Sequence, residues 1–150
     1  MHYYALFYFQ RAASLRPYDH QMWQAMASCF DRMHRPQEAI KAYKRALVSS
    51  RGGGGGDSFD PAILYNIGLM YEKVEEISEA ARYMELCVKE EEGPAASKAK
   101  MWLARWEFGR GNWTRAGVLA NELCQEGPEI EEAKALVRDL RARMEAGGGK

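Results

Sequence analysis

The chain has 150 residues, 47% of them hydrophobic and 28% charged, with 21 lysines and arginines against 21 aspartates and glutamates. That balance belongs to a folded protein and excludes a disordered polar chain. With no net charge there is no field to gather a phosphate backbone or an anionic membrane, so neither nucleic acid nor a membrane is an expected partner.

The first element in chain order is a helix over residues 2–17, with Ala5, Phe9 and Ala12 at helical spacing and Pro17 to stop it. It starts inside an aromatic pattern with no cap before it, as expected of a piece of a longer chain. Residues 20–50 carry two helices. Trp23, Met26, Ala27 and Phe30 mark the first, Ala39, Tyr43 and Ala46 the second, and Pro36 opens the second at the position where its missing N–H costs nothing. Residues 51–58 contain five consecutive glycines and are expected to form a flexible loop.

Residues 61–92 repeat the pair. Asp60 and Pro61 cap it, Leu64, Ile67, Gly68 and Tyr71 mark its first helix, and Ala80, Met84 and Cys87 its second. The acidic run Glu90 to Glu92 reads as a solvated helix end, and Gly93-Pro94 as a break. Residues 97–128 form a degraded copy: Leu103 and Ala104 remain, Glu107 stands where an aromatic is expected, and Ala116, Ala120, Leu123 and Pro128 mark the second helix. In residues 129–146, Ile130, Ala133, Leu136, Val137 and Leu140 share one face, with Arg138, Asp139, Arg141 and Arg143 elsewhere, which predicts a capping helix. Residues 147–150 are expected to be a disordered tail.

Helix pairs of about 34 residues, with small residues where axes cross and large ones between them, resemble the tetratricopeptide repeat. The resemblance implies an all-α solenoid: one half repeat (2–17), three pairs (20–50, 61–92, 97–128) and a cap (129–146), stacked antiparallel in a right-handed superhelix. In such a stack the first helix of each pair lines a concave groove that receives a peptide or another helix. The groove-facing candidates are Gln24, Ser28 and Asp31, then Tyr65, Asn66 and Leu69, then Met101 and Arg105. Asn66 offers a donor and an acceptor to a peptide backbone, or is simply tolerated in a half-exposed site. No cluster of lysines and arginines is at hand to clamp a terminal carboxylate, which weakens a chaperone-tail receptor as the alternative.

Chemistry is not signalled. The glycine run is followed by no Gly-Lys-Ser/Thr, the histidines have no partner at ligand spacing, and no nucleophile motif occurs, so no catalytic residue, cofactor or metal is expected. Cys29, Cys87 and Cys124 form no CxxC pair and read as free thiols in a reducing compartment. Trp102, Trp106 and Trp113 read as packing before ligand platform.

Beyond the general repeat, Tyr3 to Ala12 (YYALFYFQRA), Leu15 to Asp19 (LRPYD), Met26 to Met33 and Glu38 to Ala46 resemble the subunit 8 (cell division cycle protein 23) family of the anaphase-promoting complex, in its fungal form. That resemblance implies a non-catalytic scaffold subunit of a ubiquitin ligase in mitotic cell-cycle control, found in nucleus and cytoplasm, with sister subunits and a co-activator peptide as partners. It also implies homodimers of the full-length protein through repeats upstream of this piece, which leaves dimerisation of the piece itself open.

Overall fold

A computed structural model describes residues 2–15, 20–52, 59–90, 93–126 and 130–148. They form eight α-helices: α1 (His2–Leu15), α2 (His20–Arg32), α3 (Pro36–Gly52), α4 (Pro61–Lys73), α5 (Ile77–Lys89), α6 (Gly93–Gly109), α7 (Trp113–Glu126) and α8 (Ile130–Gly148). No strand occurs among the described residues. The closest packing is within pairs, α2 on α3, α4 on α5 and α6 on α7. Successive pairs are joined by α1 on α2, α3 on α4, α5 on α6 and α7 on α8. The result is a helical solenoid whose buried side chains run without interruption from Leu6 to Leu140.

One turn, used three times, sets the geometry of each pair. The N–H groups of Arg35, Glu76 and Asn112 donate to the carbonyls of Phe30, Tyr71 and Glu107 at 2.9, 3.0 and 2.9 Å. Those of His34, Glu75 and Gly111 donate to Asp31, Glu72 and Phe108. This is the Schellman closure of a helix C-terminus, and it needs one left-handed residue. His34 (φ 59), Glu75 (φ 62) and Gly111 (φ 81) supply it. The next helix then starts two residues later, at Pro36, Ile77 and Trp113.

Small side chains stand where the helices cross. Ala27 and Ala104 are wholly buried, as are Ala39, Ala80 and Ala116, and Ala46 and Cys87. Gly68 is the partner of Ala27 and Ala104 in the repeat. A methyl there would stand 2.7 Å from Met84 Cε, so Met84 occupies the space beside Gly68. Cys87 thus sits at a small-residue position for packing reasons. Its Sγ–H donates to the Pro61 carbonyl at 3.2 Å, and burial pushes the thiol up to about 11.

Element boundaries differ from the expected ones where glycine was read as a breaker. α3 runs through Arg51 and Gly52, and α8 through Gly147 and Gly148, both assigned above to loop or tail. A glycine in a last turn costs only about 1 kcal/mol, which an established helix carries. A Cβ added at Gly147 would stand 3.8 Å from the Trp113 ring, so the end of α8 runs close over Trp113. Gly93 and Pro94 open α6 rather than separate it, proline being favoured in a first turn. Residues 53–58, Pro17, Glu91, Glu92, Pro128 and residues 149–150 fall outside the described residues.

Candidate protein-binding surfaces

The concave candidates sit on α2, α4 and α6, but the structure does not leave them equally available. Gln24, Ser28, Tyr65, Asn66 and Leu69 are half-buried. Among the described residues the side chains of Gln24, Ser28 and Asn66 have no partner, while Tyr65 and Leu69 also pack on the core. Asp31 is taken by Lys73 of α4 at 2.5 Å, and Arg105 by Glu132 of α8 at 2.6 Å. Met101 is not in the groove at all. It is 3% exposed, because α6 is packed by α4, α5, α7 and α8 and buries more of its surface than a one-sided helix does.

Three polar bridges therefore run between successive first helices. Asp31 to Lys73 ties α2 to α4, the indole N–H of Trp102 donates to Glu72 and ties α6 to α4, and Arg105 to Glu132 ties α6 to α8. Lys73, Glu72 and Glu132 were missed by the sequence reading, and each partner lies 27 to 42 residues away, where no local spacing rule reaches. Exposed pairs of this kind contribute roughly 0–1 kcal/mol each, so they set relative helix positions more than they set stability. Trp102 is half-buried and stacks on Trp106 with ring centroids 6.1 Å apart. Arg110 covers the other ring at 4.4 Å. These tryptophans are packing residues with one polar edge.

Glu107 is the buried charge of the structure's described part, 2% exposed. The Asn112 amide donates to it at 2.7 Å, with the guanidiniums of Arg110 and Arg115 at 3.7 and 3.8 Å. Arg115 also reaches Glu85 on α5 at 2.5 Å. The carboxylate is thus taken up by groups of its own pair and a neighbour, an arrangement that knits α5, α6 and α7. Elsewhere, no group of three histidine, cysteine or carboxylate side chains able to hold a metal occurs among the described residues, and no helix of theirs is long and apolar enough to cross a membrane. Their cysteines are all free thiols.

A second surface is apolar. Leu6 of α1 is buried, but Tyr3, Tyr4, Phe7 and Tyr8 on the same helix are 73, 75, 57 and 67% exposed. Spaced at one and four residues, they form one stripe. The other large exposed apolar residues, Val48, Ile77, Val118 and Met144, are scattered one to a helix. Large contiguous apolar stripes mark interaction sites, whereas single exposed apolar residues carry no such meaning.

The comparisons agree with this geometry. Residues 61–93, which are α4, α5 and their flanks, match the tetratricopeptide repeat. Over 114 residues, 71% of this chain, the sequence is 35% identical to the anaphase-promoting complex subunit CDC23 of Saccharomyces cerevisiae. The chain spans 18% of the length of that relative. The crystal structure of MamA superposes with a TM-score of 0.67 over 97% of this chain and 90% of that one, at 12% identity, a likeness of fold alone.

Proposed function

We propose that this CDC23-like tetratricopeptide region is a non-catalytic scaffold element of the anaphase-promoting ubiquitin ligase, working in nucleus and cytoplasm to support complex assembly and co-activator docking in cell-cycle control. The observation that carries this reading is the 35% identity to the anaphase-promoting complex subunit CDC23 over 71% of the chain. That likeness supports the choice of assembly. The bridged first helices support the same reading, since Asp31 and Arg105 are already spent on holding the solenoid together.

The uncommitted amides of Gln24 and Asn66 favour one further use of the concave face, reception of a short peptide backbone. Co-activator docking is assigned there. Purification of the tagged full-length protein from its native cells is expected to recover a large complex with ubiquitin-ligase activity. Recovery of the protein alone, or with chaperones only, would overturn the scaffold reading in favour of a free-standing peptide adaptor. Titration with chaperone C-terminal peptides separates the two further: the adaptor predicts tight binding lost on Asn66→Ala, the scaffold predicts none.

A further inference from the structure

At the C-terminal end, α7 and α8 enclose a cavity of about 470 Å³ that none of the preceding contacts uses. Its α8 wall carries Lys134, Arg138 and Arg141, at steps of four and three residues, hence in one line on the helix surface. At 1.5 Å of rise per residue the line is roughly 10 Å long. Its α7 wall supplies Asn121 and Cys124, and half-buried Val137 lies between.

Two facts bear on how available these cations are. Arg35, Lys73, Arg105 and Arg115 each hold a carboxylate within the solenoid, but among the described residues Arg138 and Arg141 hold none. Glu131 is the one acid in the cavity lining, and it meets Lys134 only at 4.0 Å. The chain has no net charge, so this local excess is an arrangement and not a by-product of composition. The contrast with the 350 Å³ cavity between α2 and α3 is direct. There Glu38 is paired with Arg35 and the Arg45 guanidinium lies 5.0 Å from the Trp23 ring, which leaves Lys41 alone where the α7–α8 cavity has a line of three cations.

We propose that the α7–α8 groove is a docking site for a short acidic segment of a partner protein. Arg138 and Arg141 present planar donor forks that match carboxylates two at a time. Asn121 can donate to and accept from the segment's backbone. Val137 and Cys124 offer a small apolar floor, which selects a peptide with an apolar residue between its acids over a bare polyanion. The site is independent of which assembly the solenoid serves.

The test is a fluorescence anisotropy titration of the 150-residue chain with a short fluorescein-labelled peptide of alternating glutamate and leucine. Binding is expected to weaken as salt is raised and to fall by about tenfold or more in Arg138→Glu/Arg141→Glu, in keeping with two charge-assisted contacts. Bound peptide is also expected to slow alkylation of Cys124. Arg138→Gln/Arg141→Gln removes the charges without reversing them, and thermal melts of both variants identify any loss that comes from unfolding. Three results would each overturn the proposal: no binding to the wild-type chain, equal binding to a folded charge-reversed variant, or tighter binding to a single-stranded oligonucleotide than to the peptide.

Discussion

The α4–α5 and α6–α7 pairs are built on the same turn but fill one position with opposite chemistry. After Gly68 comes Tyr71, which stacks on Tyr83 with centroids 5.5 Å apart and takes the Lys44 ammonium over its ring at 5.3 Å. After Ala104, at the same step, comes Glu107, buried and met by Asn112, Arg110 and Arg115. An aromatic ring satisfies the site by area, and a carboxylate must satisfy it by donors. A degraded signature thus marks an alternative solution: the fourth copy keeps its backbone turn and replaces dispersion with a hydrogen-bonded network that also grips α5.

Breaking the charged version should produce the largest effect. Glu107→Ala is expected to lose about 2–3 kcal/mol, since it leaves both a small cavity and an Asn112 amide without its acceptor. Urea denaturation measures it, and a loss below half a kcal/mol would mean that the network is ornamental. The regular pair has its own vulnerability, at Cys87. Its folded thiol is raised from 9.0 to about 11 by burial, so the protonated form is the one the fold prefers. The associated stability is fully present below pH 9 and is lost as pH rises through 11. Tyr43, also raised by burial and by nearby Asp31, acts in the same direction at higher pH. The melting temperature should therefore fall across the alkaline range, and Cys87→Ala should flatten the first part of that fall; an unchanged slope would show that Cys87 does not report the core.

The shared turn can be sharpened next. His34 and Glu75 hold left-handed backbone that Gly111 adopts without strain, so His34→Gly and Glu75→Gly should each gain up to about 1 kcal/mol and Gly111→Ala should lose a similar amount. Opposite signs in thermal melts are the expected outcome, and a common sign for all three would separate the turns after all. The smallest effect belongs to the concave bridges. A double-mutant cycle on Asp31→Asn and Lys73→Met should give a coupling below about 1 kcal/mol that shrinks with salt. A larger, salt-insensitive value would promote these bridges from positioning contacts to structural ones.

Read locally, the chain determined its own helices and much of its stacking. The periodic placement of Ala27, Gly68 and Ala104, and of Ala39, Ala80 and Ala116, is a statement about where axes cross, and helix crossing is decided by side-chain size at fixed steps. Pro36 and Asp60-Pro61 announced helix starts because their preferences are local. The glycine boundaries were less legible, because Gly147 and Gly148 are helical by virtue of what precedes and underlies them.

The surfaces were another matter. Met101 was expected in the groove from its place in an average repeat, and only the packing of four helices around α6 buried it. Glu72, Lys73 and Glu132 acquired roles from partners a repeat or more away, and the charged wall of Lys134, Arg138 and Arg141 became a groove only when α7 was laid beside it. Repeat identity and element order thus came from the sequence, since both depend on spacings within about one helix pair. Which side chains are free to meet a partner came from the tertiary structure alone, because availability depends on what the neighbouring repeat has already taken.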